Sequence, residues 1–135
     1  MSRALEFIQP AGWPRGAGYA HGVAANGRIV CTAGQIGWDP VTQQLVSDDF
    51  AEQAARALAN IADVLSAGGA APEHLVRLTW YITDRQAYID ARRAIGQAYG
   101  QLFGTHYPAV SVVFVATLLE PGALVEIEAT AVVPE

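Results

Sequence analysis

The stretch from Pro108 to Pro134 constrains this chain more than any other. Leu124, Glu126, Glu128 and Thr130 alternate with Val125, Ile127, Ala129 and Ala131, and successive strand side chains point to opposite faces. One face is therefore core, and the other presents two carboxylates from a rigid element. Rigid placement is what a site needs when an acid must be held in position, although a solvated sheet face has the same pattern. Upstream, Val112, Val113, Phe114 and Val115 form an unbroken apolar run, which predicts a central strand buried on both faces. Between them, Leu119-Glu120-Pro121-Gly122-Ala123 has Pro-Gly at its centre, where proline sets φ and glycine accepts a positive one. The expected unit is a hairpin whose second strand carries the acids.

The remaining 108 or so residues of context matter through their balance of charge and apolarity. With 135 residues the chain is one domain, 1–135, able to bury its own core. It is 52% hydrophobic and only 16% charged, a poor cover for a lone small monomer, so some surface is expected to lie against copies of itself. A net charge of −5 and the absence of any basic run argue against nucleic acid as the main partner, because phosphate binding needs clustered cations. Cys31 is the only cysteine; its apolar setting predicts a small buried thiol, and a chain without disulfides fits the reducing cytoplasm. No stretch has the length of a signal peptide's apolar region or the roughly 18 apolar residues of a membrane span, so no membrane partner is expected.

In chain order, Leu5 to Ile8 is a short edge strand, followed by a loop through Gly16-Ala17-Gly18. Tyr19 to Ala25 and Arg28 to Ala33 flank Asn26-Gly27, which predicts a hairpin with a turn needing positive φ at both central residues. Gly34 marks a place where something approaches the main chain, and Gly37 to Asp48 is a loop. A helix is expected from Phe50 to Ala67, with Phe50, Ala54, Leu58, Ile61 and Leu65 on one stripe, Asp49 and Glu52 as a capping box, and Gly68-Gly69 at its end. Leu75 to Thr83 alternates as a strand. Asp84 caps a second helix, Arg85 to Phe103, whose Gly96 and Gly100 predict close packing against the sheet. The order ββαβαββ gives an α+β fold, a mixed sheet of five or six strands with two helices on one face. The other face is then covered by partners, with any pocket at the seams between copies.

These elements resemble the Rid family, the reactive intermediate deaminases of the RidA/YjgF type, over nearly the whole length. The resemblance rests on Gly18-Tyr19, Ala33-Gly34-Gln35-Ile36 followed by Asp39-Pro40, Gln53, Asn60-Ile61, and Gly122-Ala123-Leu124-Val125-Glu126-Ile127-Glu128-Ala129. It implies a chorismate-mutase-like homotrimer with clefts between subunits, and hydrolysis of small enamines or imines to a keto acid and ammonia, without cofactor or metal. It makes Glu126 the catalytic acid that positions water, Tyr19 the cleft tyrosine and the Ala33-Gly34 backbone one wall. His21 stands beside Tyr19 where a small polar residue is usual, and is expected near Glu126. The departure is at Pro108-Ala109-Val110-Ser111: Val110 replaces the arginine that holds the substrate carboxylate in family deaminases, and valine cannot bind an anion. Arg92 matches a position that is often asparagine, which makes it a second substrate-binding candidate and a substitute cation. With that anchor gone, altered specificity or low activity is expected; a non-catalytic trimer that binds metabolites or acts as a chaperone-like regulator is the alternative.

Overall fold

The computed structural model describes residues 5–135. Its elements are β1 (Glu6–Ile8), β2 (Gly22–Ala24), β3 (Arg28–Cys31), β4 (Gln35–Ile36), β5 (Trp38–Asp39), β6 (Gln44–Leu45), α1 (Phe50–Ala67), β7 (Leu75–Ile82), α2 (Arg85–Phe103), β8 (Ala109–Phe114) and β9 (Val125–Val133). The fold is α+β, with two helices on one face of a mixed sheet ordered β3-β9-β7-β8, and β4 pairing β9 beyond the end of β3. Among the strands of the described residues, β7 and β8 are the one parallel pair, joined by α2 as the crossover that parallel neighbours require. Val125, Ile127, Ala129 and Ala131 are buried beneath the helices with Leu58, Ile61, Leu65, Leu78 and Trp80, as alternation requires.

Both helices keep their expected bounds, and for local reasons. The Asp49 carboxylate accepts the Glu52 N–H at 3.0 Å, and the Asp84 carboxylate accepts the Ala87 N–H at 3.1 Å, each satisfying an N-terminal amide that has no partner inside its helix. The return bond of a capping box is replaced at Asp49, whose N–H donates to Ser47 Oγ at 2.9 Å. At the other end of α1 it is Gly69, with φ of 83°, that takes the left-handed conformation.

The pairing of strands departs from expectation in two places. First, β8 and β9 are not a hairpin, because β7 lies between them. Glu120 to Ala123 do form a tight turn, with the Ala123 N–H on the Glu120 carbonyl and Gly122 at φ of 86°. That turn sits inside a longer passage over the end of β7, tied on one side by the Val115 N–H to Ile82 O and on the other by the Thr83 N–H to Leu124 O. The chain therefore leaves one flank of β7 and returns on the other. Second, Asn26-Gly27 does not close a hairpin: β2 pairs with β1 and β3 with β9. A primed turn needs positive φ at Asn26, and only Gly27, at 148°, has it. Gly27 is needed for a different reason, since a Cβ there would stand 2.1 Å from the Val133 carbonyl oxygen.

Four further expectations are corrected. Val112, Val113 and Phe114 are not central but lie toward the sheet's edge, with Phe114 64% exposed; an apolar run marks a surface that wants cover without saying whose atoms supply it. Cys31 is exposed rather than buried, because it stands opposite Thr130 on the face away from the helices. Gly96 and Gly100 are exposed, and nothing lies within 4 Å of a Cβ built on either, so their spacing serves no contact with the sheet. The segment 37–48 is not a plain loop: β5 and β6 form a small hairpin, organised by the Asp39 carboxylate, which accepts the Val41 and Thr42 N–H groups. Those two bonds, Val41's first, hold the Asp39 carboxyl below its ordinary pKa.

Candidate functional site

The acid-bearing face of β9 is built around an interruption in its neighbour. At the end of β3 the Thr32 Oγ1 accepts the Ala129 N–H at 3.0 Å, in place of a backbone carbonyl, while the Thr32 N–H donates to Ala129 O at 2.9 Å. The chain then swings out through Ala33 and Gly34 before pairing resumes at β4. Gly34 comes to rest on Glu126: a Cβ there would meet Glu126 Oε2 at 2.2 Å and Cδ at 2.6 Å. Glycine at 34 is thus a space reserved for the Glu126 carboxylate, and the structure brings Gly34 and Glu126 together.

Across β7, Tyr81 stands opposite Glu126 and Thr79 opposite Glu128. The Tyr81 hydroxyl donates to Glu128 Oε1 at 2.5 Å, and that bond, then burial, then the Glu128 and Glu126 charges raise the phenol's pKa against an opposing Arg77. The two acids therefore differ in role. Glu128 is tied to a hydroxyl, while Glu126 faces the Gly34 backbone. Tyr81 was not singled out from sequence, although its place on the same side of its strand as Arg77 and Thr79 was visible in the alternation.

A second cluster forms at the other flank of the sheet. The Ala20 N–H donates to Pro108 O at 2.9 Å and Ala20 bridges Ala109, which sets Tyr19 beside the start of β8. His21 lies edge-on to both Tyr19 and Trp13, with ring centroids 5.5 and 5.2 Å apart. Its Nε2–H donates to the Pro14 carbonyl at 2.8 Å, because only a protonated nitrogen can bond a carbonyl. Gly16 lies under the Tyr19 ring, where a Cβ would be 2.6 Å from a ring carbon. Tyr19 lines a cleft of about 780 Å³ with Glu6, Ile8, Arg15, Thr105 and Tyr107.

These two clusters are far apart in one chain. From Ala20 to β9 is three strand spacings of about 4.8 Å, and from the level of Ala109 to that of Tyr81 is four residues at about 3.3 Å, roughly 20 Å in all. His21 is accordingly not beside Glu126 within the chain. Val110 is opposite Leu78 and packs against the core, on the helix side of the sheet, away from Glu126. Arg92 is exposed on α2, its Nε–H donating to Ile89 O at 3.3 Å. Arg15, which lines the same cleft as Tyr19, lies in a loop, where no periodicity points it out.

Residues 14–133 match the family described as Endoribonuclease L-PSP. A protein of Yersinia pestis from the conserved Rid family superposes with a TM-score of 0.85 at 32% identity, covering 97% of this chain and all of that one. The chain belongs to the Rid family. Among other Rid proteins, the 2-iminobutanoate/2-iminopropanoate deaminase of Homo sapiens is 36% identical over 105 residues, covering 78% of this chain and 73% of that protein. A RutC family protein of Synechocystis is 37% identical over 133 residues, covering 96% and 98%. Deaminases thus stand among the Rid relatives of this chain, and among its described residues no helix is long and apolar enough to cross a membrane.

Proposed function

We propose that this Rid protein is a homotrimer that hydrolyses small imines or enamines in clefts shared between copies, without a cofactor. The observation that carries the reading is the fit of the Glu126 carboxylate over Gly34: an acid confined by backbone on one side and open on the other can hold a water in line with an imine carbon. Glu126 positions that water and passes its proton to the departing nitrogen, and the Ala33-Gly34 backbone forms the wall behind it. Tyr19 and His21 close the cleft from a neighbouring copy, because roughly 20 Å separates them from Glu126 in their own chain. Relatives named as deaminases support this.

Val110 packs against the core on the helix side of the sheet and offers no cation to a substrate carboxylate, so turnover of simple 2-imino acids is slower here or proceeds in another pose. Arg92, exposed on α2, is the helix-borne cation that could take the place of the missing anchor in such a pose. Ribonuclease action, suggested by the family's description, finds no support in a chain with a net charge of −5, since the anionic phosphodiester backbone of RNA would meet repulsion.

The test generates 2-aminoacrylate or 2-iminopropanoate in situ and measures ammonia release. The expected result is release above the buffer rate by the purified protein and none by Glu126→Gln. Release at the buffer rate from wild type would overturn the hydrolase reading in favour of metabolite binding without turnover.

A further inference from the structure

The cleft beside Tyr19 has a charge arrangement of its own. Among the described residues that line its 780 Å³, Arg15 is the one cation and Glu6 the one acid. They come from different segments, Glu6 from β1 and Arg15 from the loop before Tyr19. Arg15 is also unusually well placed for a loop residue. The Pro14 carbonyl before it is fixed by His21, and Gly16 after it is pinned beneath the Tyr19 ring, with no room for a Cβ. A guanidinium leaving a backbone anchored on both sides loses less freedom on binding than one on a mobile loop, and its planar fork matches a carboxylate.

We propose that Arg15 is the carboxylate anchor of this cleft and that Glu6 receives the ligand's protonated nitrogen. The ligand class is then a small zwitterion with carboxylate and cationic nitrogen on adjacent carbons, as in an α-amino acid or a protonated 2-imino acid. Phe7 and Ile8 supply apolar lining for its side chain, and Tyr19 and Tyr107 supply ring faces and hydroxyls. This rests on the imine-hydrolase reading for its place in a reaction, and it names the cation that Val110 does not provide. His21 acts through this arrangement, as a positioning residue that holds Pro14.

The experiment measures equilibrium binding by calorimetry at neutral pH, with no turnover required. The probes are 2-aminobutanoate, which carries both charges, and 2-oxobutanoate, which carries the carboxylate alone. Arg15→Ala should weaken both by at least tenfold, about 1.4 kcal/mol, and Arg15→Lys should recover part of the loss. Glu6→Gln should weaken 2-aminobutanoate and leave 2-oxobutanoate unchanged. Thermal melting of each variant within about 2 °C of wild type, less than 1 kcal/mol for a chain of this size, confirms that the fold is kept. Arg15→Ala binding both acids as wild type does, or wild type binding neither at millimolar concentration, would overturn the assignment; so would Glu6→Gln affecting both acids or neither. Arg15-dependent binding with no ammonia release would sink the hydrolase reading and leave this assignment standing, and ammonia release indifferent to Arg15→Ala would do the reverse.

Discussion

Gly34 matters for what it lacks. Because its missing Cβ is where the Glu126 carboxylate lies, Gly34→Ala should turn that carboxylate aside without disturbing the sheet, the clash being with the end of a flexible side chain. Activity should fall by tenfold or more, about 1.4 kcal/mol of barrier, with the melting temperature nearly unchanged; full activity in Gly34→Ala would remove Glu126 from the chemistry. Glu128→Ala should keep most activity, since Glu128 is occupied by Tyr81. The phenols also set a pH limit. Burial, with Tyr107 adding to it, raises the Tyr99 pKa well above its ordinary value, and the Glu128 bond raises that of Tyr81. A phenol whose folded pKa exceeds the unfolded value of about 10 contributes stability fully present below pH 10 and lost as pH rises through the folded value. Urea midpoints should therefore hold steady from pH 7 to 9 and decline above about 10, and Tyr99→Phe should flatten that decline. Such pairings were only half legible in the sequence: alternation put both acids on one face, but nothing in it told Glu126 from Glu128, because the difference comes from partners on β4 and β7.

Helices were read to the residue because their causes are local: a capping carboxylate, a 3.6-residue stripe and a closing glycine all lie within one stretch. Strand partners were not, because pairing is decided between segments far apart in the chain, and a turn signal reports only that the chain bends. Asn26-Gly27 and Pro121-Gly122 both bend it, yet each delivers the chain to a strand other than its neighbour in sequence. What fixes the second crossing is Gln53. Fully buried on α1, it donates through Nε2 to Ser47 O and Gly122 O and accepts the Leu124 N–H at 2.8 Å, so one amide side chain holds the entry to β9. Gln53→Ala would leave those backbone groups buried without partners, at a cost of about 3 kcal/mol, which denaturant unfolding should show as a lowered midpoint. A variant as stable as wild type would mean that the turn is held by other contacts.

The molecule as a whole displays more apolar surface than its charge can cover. Val112, Val113 and Phe114 run along one flank of the sheet and Leu119 is 99% exposed beyond it. Their exposure in a single chain is the physical counterpart of the apolar composition, and it motivates the trimer: light scattering at micromolar concentration should give three times the chain mass, and Val113→Lys should shift the population toward monomer. A stable wild-type monomer would end both the trimer and the shared cleft.

Division of the clusters at opposite flanks of one sheet has a genetic consequence. If every working cleft borrows Glu126 from one copy and Tyr19 from the next, two dead proteins can rescue each other. Glu126→Gln and Tyr19→Ala, each inactive alone, should on refolding together in equal amounts regain activity in about one quarter of the clefts, those where an intact acid happens to meet an intact tyrosine. A cell carrying one copy of each allele would then be expected to keep partial function, whereas alleles damaged on the same side of the seam would never complement.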